Sequence, residues 1–347
     1  MRTITLLAIV ISMSTLAAPQ KLPAPLAITD PKLISSKPNA NVEQNQQSLS
    51  IERLFMTRSV GASTWSPDGR SIAFVSNISG RNNIWLVPAT GGWPMQLTVS
   101  DQRQTSPTWS PDGKWIAYVT QPDPKLAIYG THHIGVSPAG GGEARILTRA
   151  LDRMSTEPRF SPDGKFIYFI ADDDGTQNLC RVPAAGGEIN RPIAGRLMLY
   201  SYSVAKSGEV AALITTPDRP SEIFTLPDGK LTRITHVNDA FISQVKLTTP
   251  EYVKFKSKDG TAVSGYLYKP LDYVPGKKYP AILRPHGGPV WAYYAEFTHL
   301  AQLFAANDSA VLYPTPRVST GRGHESANDT AADRGQQDCG QPLRQVP

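Results

Sequence analysis

The sequence predicts a β-propeller followed by the first part of an α/β domain, and three observations carry that prediction. The pentapeptides WSPDG (65–69), WSPDG (109–113) and FSPDG (160–164) recur along the chain, and a degenerate fourth copy, VAKSG, puts Gly208 in register. The turn glycines 69, 113, 164 and 208 are therefore 44, 51 and 44 residues apart. A period of this size with strand-like content signals one propeller blade per repeat. After about residue 250 the repeat stops, and a strand, a helix and a strand follow in succession, the signature of a parallel α/β unit.

Each repeat has the same internal plan. The turn is followed by a β-rich run (SIAFVS, KWIAYVT, KFIYFIA, EVAALIT), then a second strand (NIWLVP, HIGVSP, NLCRVP, EIFTLP), a second turn, and a short third run (QLT, ILT, RPI, RIT). Pro presets φ for a tight turn and Gly accepts positive φ, so SPDG counts hairpins. Trp65, Trp109 and Phe160, just before the turns, are expected to pack between blades, and Asp68, Asp112 and Asp163 to serve the turns. Residues 51–249 leave room for four or five blades.

Beyond Pro250, YVKFKSKDGTAVSGYLYKP (252–270) reads as a hairpin around Asp259-Gly260 and AILRPHGGPVW (281–291) as an apolar strand running into a Gly-rich turn. AEFTHLAQLFAAND (295–308) has apolar residues at 297, 300, 301, 303 and 304, a helical period, and SAVLYPTPR (309–317) is a further short strand. HGGP at 286–289 is the informative piece. A strand followed by HGG places flexible backbone N–H groups at the carboxyl end of a sheet, where α/β-hydrolases stabilise a tetrahedral oxyanion. Gly287 and Gly288 are the candidate oxyanion-hole donors. The plainer reading of HGGP is a loop between strand and helix.

Two sets of motifs carry a family resemblance. The WSPDGxxIAF-type repeats resemble those of TolB-like and WD40-like propellers and of prolyl oligopeptidase relatives. KSKDGTAVSGYLYKP, KKYPAILRPHGGP and AVLYPTPRVSTGRGHES resemble the start of the catalytic α/β-hydrolase domain of the prolyl oligopeptidase family, nearest to its dipeptidyl-peptidase and acylaminoacyl-peptidase branches. The resemblance covers roughly residues 51–325. It implies a serine peptidase that cleaves short peptides, with the propeller limiting access to the active site.

The chemistry of that family needs a nucleophilic Ser in a G-x-S-x-G elbow, then Asp, then His, in that order. No Ser here has Gly at both −2 and +2; Ser71 and Ser137 come closest, in the propeller. His286 belongs to the oxyanion turn, and His299 and His324 have no triad around them. The expectation is a catalytic segment (250–325) that stops before its nucleophile, a degenerate tail (326–347), and a truncated chain inactive in this form. Catalytic triad residues are therefore assigned to none.

The remaining features bound the setting. Residues 1–18, MRTITLLAIVISMSTLAA, read as a secretory signal cleaved after Ala17 or Ala18, which implies export to the periplasm or extracellular space without a stable membrane anchor. The alternative is a buried N-terminal helix. Residues 19–50 are rich in Pro, Ser, Asn and Gln and read as a linker. Loss of Arg2 with the signal leaves 34 basic against 29 acidic residues, dispersed along the chain, which argues against nucleic acid as partner. Cys180 and Cys339 are not expected to pair. Asp172–Asp174 read as a solvated loop and His132-His133 as strand-edge residues, so no metal and no cofactor is expected. Two rivals stay open: an exported TolB-like propeller acting as a binding module for a protein partner, and a separate chain supplying the missing half.

Overall fold

The computed structural model describes residues 51–121, 123, 130–256, 260, 262–287, 290–316 and 319–323. The expected signal, linker and tail, with Gly288, His324 and Cys339, lie outside the described residues.

Four sheets follow one another, each of four antiparallel strands in chain order. The first holds β1 (Val60–Trp65), β2 (Ser71–Ser76), β3 (Asn83–Pro88) and β4 (Met95–Gln96). The second holds β5 (Gln104–Trp109), β6 (Trp115–Thr120), β7 (His133–Pro138) and β8 (Arg145–Ile146). In the third are β9 (Ser155–Phe160), β10 (Phe166–Asp173), β11 (Thr176–Pro183) and β12 (Asn190–Ile193). The fourth comprises β13 (Met198–Val204), β14 (Val210–Thr216), β15 (Arg219–Thr225) and β16 (Thr232–Arg233). This is a propeller-like array, and the SPDG motif joins the first strand of a sheet to its second, as its turn chemistry predicts.

The motif closes on itself the same way three times. In the first sheet the Ser66 hydroxyl donates to Asp68 Oδ1 at 2.6 Å and accepts from the Ser71 N–H at 2.9 Å, while Asp68 Oδ1 also accepts from the Arg70 N–H at 3.0 Å. Ser110 with Asp112 and Ser161 with Asp163 repeat these bonds at 2.6 Å. Serine hydroxyls, then backbone N–H groups, hold all three carboxyls below the usual carboxylate range. Gly69, Gly113 and Gly164 each sit near φ +70°, a conformation glycine adopts without strain.

Apolar clusters form between successive sheets. Ile84 and Leu86 meet Ile116 and Tyr118 between the first and second; Ile134 and Val136 meet Ile167, Phe169 and Val182 between the second and third; Tyr168 and Leu179 meet Leu199 and Ile214 between the third and fourth. Among the described residues no cluster joins the fourth sheet back to the first. The residue before each turn packs backwards onto the preceding sheet. Phe160 is buried and Trp109 half-buried in this way, and Val204 takes the equivalent place in the fourth sheet. Trp65 departs from the expectation of interblade packing: it is 59% exposed, because no described sheet lies before the first.

The fifth sheet has the order β17-β18-β20-β19, with β17 (Glu251–Lys256), β18 (Ala262–Tyr268), β19 (Ala281–Leu283) and β20 (Ala310–Thr315). β17 and β18 form the predicted hairpin, and β19 and β20 run parallel, joined through a helix at His299–Ala306. That helix is shorter than its apolar pattern suggests. It buries Ala301, Gln302 and Ala305, leaving Leu303 59% exposed, because Gln302 is drawn inward to bond the Thr248 N–H at 3.0 Å.

Phe160→Ala should cost about 3–5 kcal/mol in urea denaturation. Trp65→Ala, at the same place in the repeat, should cost under about 1 kcal/mol, since exposed positions tolerate substitution. Equal losses would refute the backward packing.

Candidate active site

The HGGP turn begins where β19 ends. The Arg284 N–H makes the last tie to the sheet, donating to Leu312 O at 2.9 Å, and the chain then turns through His286. The His286 ring bridges two segments: Nε2 is 2.8 Å from Ser319 Oγ, and Nδ1 is 2.9 Å from Gly287 O. Ser319 Oγ also lies 2.7 Å from Pro316 O. Gly287 O can only accept, so Nδ1 carries the proton of a neutral ring, and the one hydroxyl proton of Ser319 is shared between Nε2 and Pro316 O. Burial, outweighing the Gly287 carbonyl, holds His286 below the ordinary imidazole range, which favours this neutral tautomer. Trp291 and Tyr293 pack edge-on against the ring at centroid distances of 5.8 and 5.6 Å.

A Ser–His contact of 2.8 Å resembles a nucleophile and its base. Here it does something else. Ser319 is only 4% exposed and its hydroxyl is also engaged by Pro316 O, while His286 Nδ1 meets a carbonyl where a triad needs a carboxylate. The pair fastens the turn to the 319–323 loop. Gly287 stands exposed, with open space where a side chain would be, and among the described residues no acceptor takes its N–H.

The turn is also tied to the third sheet. Thr320 N–H donates to Trp291 O at 3.1 Å, and Thr320 Oγ1 lies 2.9 Å from the Tyr294 hydroxyl, which donates to Asp172 Oδ2 at 2.7 Å. Asp172 Oδ1 accepts from Gln177 Nε2 at 2.9 Å. Gly175 O accepts from the Ala295 N–H at 2.9 Å and from the Tyr266 hydroxyl at 2.7 Å, and Gly321 O accepts from the Asp174 N–H at 3.1 Å. Gly321 has φ +84°, and a Cβ there would stand 2.9 Å from Asp174 N, so only glycine lets the loop approach this closely.

Asp172–Asp174 are therefore not the solvated loop expected from three successive acidic residues. β10 continues through Asp173, and Asp172 is buried. Burial pushes the Asp172 carboxyl above the usual carboxylate range against its hydrogen bonds. For Asp173 burial works the same way, but Arg153 (2.8 Å) and Arg191 (2.5 Å) outweigh it and the carboxyl is held low. Asp174, which pairs with Lys254 at 2.9 Å, is likewise held low against burial.

The other sequence candidates lie away from the turn. His133 is buried at the start of β7 with Nδ1 3.2 Å from Thr148 O, and His132 is pushed down to about 4, by burial and then by Arg103 and His133. Cys180 is buried and free, its thiol pushed up to about 12 by burial. A groove of about 770 Å³ between the first two sheets is lined by Pro67, Asp68, Trp93, Trp109, Pro111 and Asp112. A groove of about 690 Å³ recurs between the next two with the equivalent Pro111, Asp112, Pro162 and Asp163, which marks both as products of blade packing.

No family model matches the chain. It is 31% identical over 216 residues to the uncharacterized peptidase YuxL of Bacillus subtilis, a match covering 61% of this chain and 31% of that protein. Dipeptidyl-peptidase 5 of Porphyromonas gingivalis is 24% identical over 291 residues, covering 79% of this chain and 42% of the relative. The chain is a relative of prolyl oligopeptidase family peptidases. Solved structures of the family share its fold. Pyrococcus horikoshii acylaminoacyl peptidase superposes with TM-score 0.66 at 24% identity over 79% of this chain and 42% of its own, and P. gingivalis dipeptidyl peptidase 4 with TM-score 0.62 at 14% identity over 79% and 40%. The chain thus spans less than half the length of each of these proteins.

The two carboxyls at the hairpin tip should give stability opposite pH dependences. Asp173, lowered on folding, stabilises the protein above its unfolded value of roughly 3.9, and this contribution is lost as pH falls through its lower folded value. Asp172, raised on folding, stabilises below that unfolded value, and its contribution is lost as pH rises through the folded one. Urea midpoints against pH should therefore flatten on the acid side in Asp173→Asn and on the side of rising pH in Asp172→Asn; identical profiles in the two variants would contradict the assignment.

Proposed function

We propose that the chain carries the propeller-like unit and the oxyanion turn of a serine-type peptidase acting on short peptides. The observation that carries this reading is the HGGP turn at the carboxyl end of the parallel β19, fixed by a neutral His286 and leaving Gly287 exposed. In this reading the Gly287 and Gly288 N–H groups donate to the oxyanion of the tetrahedral intermediate, where such donors are worth about 3–4 kcal/mol of transition-state stabilisation each. The four preceding sheets are the propeller of an α/β-hydrolase peptidase and restrict which substrates reach the turn. Relatives named as peptidases favour this over the binding-module reading.

Acyl transfer further needs a Ser to attack the carbonyl, a His to move its proton and an Asp to orient the His. The 347 residues contain no G-x-S-x-G elbow to present that Ser. We therefore propose that by themselves they polarise a carbonyl without attacking it. A fluorophosphonate probe should leave the purified chain unlabelled; labelling abolished by Ser319→Ala would instead make Ser319 a nucleophile. For the peptidase reading itself, the test is the gene read in all three frames through and past codon 347: a G-x-S-x-G followed by Asp and His supports it, and their absence removes it.

Export is proposed on the leader alone. N-terminal sequencing of the protein from its native cells should begin at Ala18 or Pro19, and a start at Met1 would refute cleavage.

A further inference from the structure

We infer that Asp172, at the tip of the β10–β11 hairpin, is a positioning residue for the oxyanion turn, acting through Tyr294 and the Ser319-Thr320 pair. The inference deepens the peptidase reading and rests on it for its functional meaning.

Three segments distant in sequence converge here: the hairpin tip, residues 286–287 with 290–295, and the loop 319–323. Asp172 Oδ2 receives the Tyr294 hydroxyl at 2.7 Å, and that hydroxyl is 2.9 Å from Thr320 Oγ1. The next residue, Ser319, places its hydroxyl 2.8 Å from His286 Nε2, and His286 Nδ1 meets Gly287 O. The backbone closes the circuit a second time, through Thr320 N–H to Trp291 O at 3.1 Å, with Trp291 against the His286 ring. The turn is thus tied to the third sheet by hydrogen bonds relayed through the Ser319-Thr320 backbone, in addition to its attachment to β19, which contributes only three residues.

The hairpin itself does not require a carboxylate at this place. Asp172 pairs with Gln177 across the two strands, and their backbone N–H groups bond Met154 O and Leu197 O without help from either side chain. Burying a carboxyl costs several kcal/mol unless it is hydrogen-bonded, so its presence at the one point where the sheet meets Tyr294 is explained by the contact it makes there. Asp173 and Asp174 turn to Arg153, Arg191 and Lys254 instead, fixing the tip by charge.

The test is hydrogen exchange by mass spectrometry on the whole 347-residue chain, comparing Asp172→Ala, Asp172→Asn and Tyr294→Phe with the parent. Tyr294→Phe keeps the ring packing and removes only the hydroxyl, so it serves if Asp172→Ala fails to fold. Exchange at 284–287 and 319–323 should accelerate on the order of tenfold in Asp172→Ala and Tyr294→Phe, with β2 and β6 unchanged. Asp172→Asn, whose amide can accept from Gln177 and donate to Tyr294, should restore near-parental rates. The ¹⁵N resonances of His286 give a second readout: one Nδ1–H tautomer in the parent and in Asp172→Asn, tautomer averaging in the other two. Unchanged exchange at the turn, or an increase of the same size in the first sheet, overturns the inference. Because neither readout is hydrolysis, failure to find peptidase chemistry would remove the functional reading while leaving this coupling standing.

Discussion

A buried carboxyl holding a tyrosine hydroxyl is the contact on which the arrangement of the site depends. Asp172 and Tyr294 lie 122 residues apart in sequence, and their bond brings the third sheet to the place where the fifth sheet turns outward. Gly175 adds two more bonds at the same tip, and Gly321 lets its loop approach the Asp172–Asp174 backbone. Each of these bonds satisfies a polar group taken out of water, so losing any one of them leaves a buried partner unpaired. The two units are thus joined by polar contacts at the hairpin tip, with others from Tyr200 to Glu296 and from the Phe297 N–H to Thr215.

Charge is divided at that tip in a way that the sequence conceals. Three identical residues in a row end in three environments: one buried beside a tyrosine hydroxyl with its carboxyl pushed up, one between two arginines, one beside a lysine. Along a strand successive side chains alternate faces, so identical neighbours meet opposite surroundings. The extension of β10 through Asp173 is what applies that alternation to the acidic run.

What was legible in the sequence was local. SPDG is a self-contained hydrogen-bonded unit, and its spacing predicted four or five blades, each with a hairpin at the motif. The hairpin around Gly260 and the parallel pairing of β19 with β20 followed from alternation and from the helix between them. The tertiary consequences were not legible. Asp172–Asp174 looked solvated because a run of like charge repels itself unless partners distant in sequence neutralise it, and Arg153, Arg191 and Lys254 carry no mark as those partners. Trp65 looked buried because its repeat mates are, whereas its burial depends on a neighbour outside the repeat. The Ser319–His286 contact joins two motifs, HGGP and STGRG, that were each recognised separately; only the fold brings them within a hydrogen bond.

The backward packing of Trp109, Phe160 and Val204 gives the array a direction. Each sheet is roofed by a side chain that belongs to its successor, so a sheet lends cover to the one before it and borrows cover from the one after. In a stack whose units contact only their neighbours, opening begins at the ends. The two ends of the described array are unequal: peeling away the first sheet uncovers Trp109 of the second, whereas peeling away the fourth removes Val204, the roof of the third. The fourth is also the end stitched to the fifth sheet, through Phe297 and Thr215. The chain thus keeps its loosest sheet farthest in sequence from the oxyanion turn.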